Sequence, residues 1–453
     1  MFENYSTSVQ KILKKINAKI GDRIKIIKAG KSYEGLLMPR GEIGDKNCIV
    51  LKLDSGYNIG ITAERIRIQK SKMPEPKVKE EFELGKRKKF LVKKLKFDPA
   101  KPSVSVIATG GTIASRVDYK TGGVYMLMKP EEFLLNIPEL HEIANFKKIL
   151  NPFNKASEDM GYKDWQVIAK LAAKELNKGN NLIITHGTDT LHYTAAALSF
   201  MLKNLSKPVI LVGAQRSSDR GSADTAMNLI CSTHAALSDI AEVGICMHGT
   251  MADDFCLFHK GVRVRKMHTT RRDAFRTVND VPLAKIWPDG KIEILNKSYK
   301  KRADTKVTAD TKFEPKVALL KAYPNSEPEI LNFLVSKGYK GFVIEGTGMG
   351  HVPTFAEESW IPAIKKIIKG GIPVVIASQT LFGRINTTVY RNLRILFHEA
   401  GAIPAEDMFP EVAYIKLSWI LGHTKNLEKI RKLMATNIAG EISARSLPTS
   451  FMV

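Results

Sequence analysis

Two kinds of hydrophobic patterning divide the chain. Between residues 22 and 70 the apolar positions come in short, partly alternating runs: Asp22-Arg23-Ile24-Lys25-Ile26-Ile27, Tyr33-Glu34-Gly35-Leu36-Leu37, Cys48-Ile49-Val50-Leu51-Lys52-Leu53, Asn58-Ile59-Gly60-Ile61 and Ile66-Arg67-Ile68. A period of two sends successive side chains to opposite faces of a strand, so these runs, punctuated by Gly, Asp and Ser, predict four or five strands and a small β-barrel. From about Ser103 the pattern changes. Strand-like runs at Ser103 to Ala108, Leu182 to Thr185, Pro208 to Val212 and Val243 to Met247 alternate with helical spacing over Asp164 to Lys178, Thr190 to Lys203 and Ser222 to Ser238. That alternation predicts parallel βαβ units. A second block repeats it, with strands at Val317 to Lys321, Phe342 to Glu345 and Val374 to Ala377 and helices at Glu357 to Lys369 and Glu428 to Ala435. Between the blocks, Asn296 to Pro315 is polar and rich in Lys and Thr, the composition of an interdomain link.

The fold class expected is therefore α/β: a small amino-terminal β-barrel followed by two parallel-sheet domains. The boundaries fall at 1–72 for the barrel with a preceding helix, 73–100 for a basic linker, and 101–305 and 306–453 for the two larger domains. At 453 residues and 44% hydrophobic, the chain holds enough apolar material for separate cores. No run of eighteen apolar residues occurs, and the first twenty residues scatter Lys11, Lys14, Lys15 and Lys19 among isoleucines. A soluble cytoplasmic protein is expected. Four cysteines, Cys48, Cys231, Cys246 and Cys256, form no CxxC pair, which predicts reduced, buried thiols. The ten histidines make no metal signature, so no catalytic metal is expected.

Charge changes the picture in one region. The formal net charge is +24, and residues 1–100 carry 24 Lys/Arg against 12 Asp/Glu, half of the whole excess. Its densest stretch, Lys86-Arg87-Lys88-Lys89 with Lys93, Lys94 and Lys96, has the character of a phosphate-contacting surface, because clustered cations release counterions from a nucleic-acid backbone. The plainer reading is a solvated linker. Ala29-Gly30-Lys31-Ser32 is not a phosphate loop, since Lys25 stands where the first glycine is required and a strand-to-helix context is missing.

The candidate chemistry lies in two Thr/Gly clusters, Ala108-Thr109-Gly110-Gly111-Thr112-Ile113-Ala114 and Thr185-His186-Gly187-Thr188-Asp189-Thr190, each directly after a buried-strand run. Glycines there let the backbone approach a ligand, and the hydroxyls face the carboxyl edge of a parallel sheet, where open α/β folds bind substrate. A threonine hydroxyl attacks a carbonyl only with help from a base or a cation. Asp189 beside Thr188, and Lys266 within Arg263-Val264-Arg265-Lys266-Met267-His268, supply that company. A partly desolvated lysine held by a carboxylate can relay a proton. Main-chain amides near Gly111 and Gly187 are candidate oxyanion donors. Taken singly, each feature is more simply a turn threonine or a surface charge; it is the combination that carries the reading.

The segments TGGTIAS (109–115), THGTDT (185–190), LVGAQRSSDRGSADTAMN (211–228) and VRVRKMHTTRRDAF (262–275) resemble those of the asparaginase/glutaminase family. With the amino-terminal barrel, of SH3-like type, and the basic linker in front, nearly the whole chain resembles the archaeal glutamyl-tRNA(Gln) amidotransferase branch of that family. The resemblance implies Thr112 as nucleophile, with Thr188, Asp189 and Lys266 as a second catalytic group. It also implies Ser157 at the substrate carboxylate, Asp189 at the substrate ammonium, Glu158, Gly111 and Gly187 at the substrate-binding site, and a loop tyrosine, either Tyr119 or Tyr125. Departures from simple asparaginases are Glu158, where glutamine is common, and Met349 and His351, where asparagines are frequent. The implied activity is release of ammonia from glutamine or asparagine for conversion of Glu-tRNA(Gln) to Gln-tRNA(Gln). The implied partner is the E component of the amidotransferase, a kinase/transferase that uses ATP and Mg, this chain binding no cofactor of its own, with a homodimeric core in a heterotetramer. The alternatives are a stand-alone cytoplasmic asparaginase and a catalytically retired RNA-binding scaffold; intact Thr112, Thr188, Asp189 and Lys266 argue against the second.

Overall fold

The computed structural model describes residues 2, 4–40, 45–53, 58–71, 98–111, 113, 116–117, 124–125, 137–216 and 222–451. A helix at Thr7–Lys15, N-capped by Ser6, buries Val9 and Leu13 against five antiparallel strands at Arg23–Lys28, Lys31–Leu37, Cys48–Leu53, Asn58–Thr62 and Ile66–Lys70. Alternation does the work expected of it: Ile24, Ile26, Ile49 and Leu51 point inward, whereas Lys25 and Val50 between them are only partly covered. Among the described residues the expected barrel is not closed. The described ladder runs 58–62, 48–53, 31–37, 23–28, 66–70, and no pairing joins its two end strands. Asn58–Thr62 and Ile66–Lys70 are joined by three residues, with Arg65 at φ 54° turning the chain away; Ile66–Lys70 then pairs with the far side of Arg23–Lys28. Lys28 reaches the Thr62 hydroxyl and carbonyl across that corner, a side-chain tie in place of a ladder.

The larger sheet has eight strands in the order 292–294, 284–286, 256–260, 243–248, 209–212, 181–185, 103–108, 145–150. Five are parallel: Asn145–Leu150, Ser103–Ala108, Asn181–Thr185, Val209–Val212 and Val243–His248. The last three in chain order, Cys256–Lys260, Ala284–Ile286 and Ile292–Ile294, extend it antiparallel. Helices Tyr162–Leu176, Leu191–Met201 and Thr225–Leu237 cover it. The first buries Trp165, Ile168, Ala169, Ala172, Ala173 and Leu176, the spacing of one helical face, and starts where Asp164 accepts the Gly161 amide. A second, wholly parallel sheet follows from Val317–Lys321, Gly341–Gly346, Val374–Ser378 and Ile403–Pro404. The stretch expected as a plain link is laid along the first of these domains: Thr308–Ala309 pairs with Leu202–Lys203, and Val307 exchanges hydrogen bonds with Asn177. Cys231, Cys246 and Cys256 are buried free thiols, while Cys48 is only partly covered. Among the described residues no helix is long and apolar enough to cross a membrane.

The two sheets share a core. Helix Pro410–Leu421 is buried along its length and lies between helix Leu191–Met201 of the first domain and strand Gly341–Gly346 of the second. Its Lys416 is fully buried, 2.6 Å from the equally buried Glu441, and donates to the carbonyls of Met434 and Thr436. Glu441 accepts the amides of Ile438 and Ala439 in return. Removing one partner of such a pair leaves an uncompensated charge, so Glu441→Ala should cost about 3–5 kcal/mol in urea unfolding. Pairing it with Lys416→Met should recover most of that loss, and a double variant as unstable as the single would contradict the electrostatic explanation.

Candidate active site

The strand ends Ala108 and Thr185 lie side by side in register, so the two Thr/Gly clusters leave one edge of the sheet together. Thr109 ties them: both its amide and its hydroxyl donate to the Thr185 carbonyl, at 3.1 and 2.9 Å. Beyond it Gly110 and Gly111 adopt positive φ, 114° and 85°, a region that side chains avoid. A Cβ on Gly111 would overlap the main chain of Gly187, and one on Gly187 would sit 2.8 Å from Ser157 Cβ. The two glycines are what allow three backbone segments to meet.

Ser157 is buried in a short turn of helix at Ser157–Asp159, its carbonyl accepting the Thr190 hydroxyl at 2.6 Å, which pins this turn to the second cluster. Its own hydroxyl points toward the exposed Glu158 at 3.4 Å. Thr188 is buried with its methyl against Gly213, while the Asp189 carboxylate is two-thirds exposed. Lys266 comes from the short strand Val264–Lys266, paired to Phe275–Thr277. Its ammonium donates to Thr188 Oγ1 at 2.9 Å and to Asp189 Oδ1 at 2.7 Å, with the side chain only 10% exposed. A cleft beside this pair is lined by Asp189, His192, Tyr193, Arg265, Lys266 and Glu411.

The structure thus brings Gly111, Ser157, Glu158, Gly187, Thr188, Asp189 and Lys266 to one place. Thr112 and Tyr119 lie outside the described residues, as do Lys86 to Lys96. Tyr125 lies in the two-residue strand Val124–Tyr125, opposite Arg116. Met349 and His351 are on an exposed turn in the other domain, the His351 ring against Tyr390 at 5.2 Å. Among the described residues no cluster of three or more His, Cys, Asp or Glu side chains is placed to hold a metal ion.

Sequence reasoning missed the supports. Asp224, fully buried, accepts the amides of Gln215 and Arg216 and the Asn228 side chain, fixing the loop that leaves Val209–Val212. Its signal was available in the motif ending at Asn228, where an acid precedes a helix start. Arg265 donates to Glu411 at 2.7 Å and Arg263 to Asp407 at 3.1 Å, both acids from the second domain. Nothing in local spacing announces partners more than 140 residues away.

Three families of known proteins match successive parts of the chain. The Asparaginase, N-terminal family matches residues 103–300, the Glutaminase/Asparaginase C-terminal domain matches 316–434, and the GatD N-terminal domain matches 18–70. The chain is 51% identical to the D component of the glutamyl-tRNA(Gln) amidotransferase of Pyrococcus furiosus, covering 98% of this chain and 100% of that protein. The chain belongs to this GatD family. The corresponding amidotransferase component of Methanopyrus kandleri is 44% identical, over 98% of this chain and 95% of that one. Among solved structures, the thermostable L-asparaginase from Thermococcus kodakarensis aligns with a TM-score of 0.68 and 30% identity, spanning 76% of this chain and all of that one. L-asparaginase I from Vibrio cholerae gives 0.65 and 28%, over 76% of this chain and all of that one. What the chain shares with these asparaginases is the fold of the pair of α/β domains.

Two histidines flank this site and stay neutral. Burial pushes His186 down to about 4 and His192 down to about 3, the latter helped by the nearby cations Arg265 and Lys266. A histidine whose folded pKa is depressed binds fewer protons than in the unfolded chain. Its contribution is therefore intact above about pH 6.5 and is lost as pH falls toward 4. We expect the urea midpoint to drop across that window, and His192→Gln to flatten the slope by up to about 1.4 kcal/mol per pH unit. An unchanged slope in this variant would contradict the neutral, buried assignment.

Proposed function

We propose that this chain is the ammonia-releasing component of a tRNA-dependent amidotransferase. It hydrolyses the side-chain amide of glutamine or asparagine so that a partner can convert Glu-tRNA(Gln) to Gln-tRNA(Gln). The observation that carries this reading is the Lys266 ammonium held between Thr188 Oγ1 and Asp189 Oδ1 at the edge where both Thr/Gly clusters emerge.

In this reading Thr112, next in sequence to Gly111, is the nucleophile. Its hydroxyl attacks the amide carbon, giving an acyl-enzyme and ammonia, and water then releases the acid. Thr188 and Lys266 pass the proton: the ammonium and hydroxyl are already hydrogen-bonded, and Asp189 fixes the lysine without covering its own exposed oxygen edge. That edge is open to a substrate ammonium. Ser157, which lies against Gly187, binds the substrate carboxylate in this reading, with Glu158 also at the substrate and either Tyr119 or Tyr125 as the loop tyrosine. Main-chain amides around Gly111 and Gly187 stabilise the oxyanion.

The domains divide as 1–72, 73–100, 101–305 and 306–453, and the protein works in the cytoplasm. ATP and Mg are used by the partner, the kinase/transferase E component, and the assembly is built on a homodimer of this chain.

Thr112→Ala or Thr188→Ala should each lower glutamine hydrolysis by about a hundredfold or more while leaving the chain folded. Lys266→Met should lower kcat far more than it raises KM, whereas Asp189→Ala should damage both. Folded Thr112→Ala releasing ammonia at an unchanged rate would overturn the nucleophile assignment.

A further inference from the structure

The strand that carries Lys266 has two allegiances. In Arg263-Val264-Arg265-Lys266 the even positions serve the first domain: Val264 is buried in its core, and Lys266 reaches Thr188 and Asp189. The odd positions serve the second. Arg263, fully buried, donates to Asp407 Oδ2, to the Gly440 carbonyl and to the Ser443 hydroxyl. Arg265 donates through Nε to Glu411 Oε1 at 2.7 Å. A strand alternates its side chains by geometry, so a displacement of one set carries the other with it.

Glu411 is not a surface acid that happens to meet an arginine. It is 7% exposed at its side chain, in the first turn of helix Pro410–Leu421, and its second oxygen is buried without a hydrogen-bond partner among the described residues. A half-satisfied buried carboxylate is costly, and it persists here at the wall of the same cleft that Lys266 and Asp189 line. The bond to Arg265 is thus a strong, charge-assisted link between the second domain and the residue preceding the lysine.

We infer that Glu411, acting through Arg265, is a positioning residue that holds Lys266 at its distance from Thr188, so that the second domain sets the geometry of proton transfer. This rests on the reading of Lys266 as a proton relay. A proton donor displaced by a fraction of an ångström costs rate more than binding.

The test is a double-mutant cycle on glutamine hydrolysis by the full chain. Glu411→Gln keeps the side-chain shape and removes the charge. It should lower kcat roughly tenfold with KM within about twofold. Arg265→Gln, at a partly exposed position, should give a similar loss and supplies a second route should Glu411→Gln disturb folding. In a Lys266→Met background, either substitution should change the remaining kcat by less than about twofold, because the group it positions is gone. An equal loss in both backgrounds, or an effect on KM alone, would overturn the inference. Unchanged kcat in both Glu411→Gln and Arg265→Gln would do the same. Full turnover in Lys266→Met by itself would instead bring down the relay reading, and the positioning role with it.

Discussion

The approach of Gly111 to Gly187 is the constraint on which the site depends. Two parallel strands deliver their ends a few ångströms apart, but ends with side chains could not close that distance, since a Cβ at either glycine meets backbone or Ser157. With the gap closed, Thr188 and Asp189 stand at the same edge as the first cluster. A single lysine from a neighbouring strand can then serve both. Polar groups gathered so tightly need supports that do not relax, and they have them: Thr109 locks one cluster to the other, Thr190 locks Ser157 to the second, and Asp224 locks the adjoining loop. Preorganisation of this kind holds the polar groups of this edge in one fixed geometry.

The second domain is more than a lid on this arrangement. Helix Pro410–Leu421 is largely apolar because it is buried between helix Leu191–Met201 and the second sheet, and the two charges it admits are paired across elements: Glu411 to Arg265 and Lys416 to Glu441. Buried pairs of this type add little net stability over apolar packing but specify one arrangement, since any other leaves a charge stranded. Thr188, Asp189 and Lys266 belong to the first domain, while Asp407 and Glu411, which hold the arginines beside Lys266, belong to the second.

Much of the fold was legible in the sequence because local periodicity decides it. All five amino-terminal strands and the helices over Glu357 to Lys369 and Glu428 to Ala435 fall within a few residues of their expected bounds. Closure of the barrel was not legible, because it depends on whether two end strands pair, and Arg65 turns the chain elsewhere. Helix Pro410–Leu421 escaped notice for a related reason: a helix buried all round has no polar face to give it a period. In the site, the Thr188–Asp189–Lys266 grouping followed from the motifs and the family they resemble. The arginine partners Asp407 and Glu411 did not, since only the tertiary fold brings residues so far apart in the chain together.

If amide cleavage in this chain feeds a tRNA-bound acceptor, the released nitrogen can be followed to its destination. Glutamine labelled with 15N in its side-chain amide would be incubated with the full chain, its transferase partner, Glu-tRNA(Gln), ATP and Mg. The expected outcome is label in the Gln-tRNA formed and hydrolysis that rises when partner and tRNA are both present. Hydrolysis of glutamine or asparagine at full rate by the chain alone, with no labelled Gln-tRNA in the complete mixture, would contradict the coupling of the two reactions.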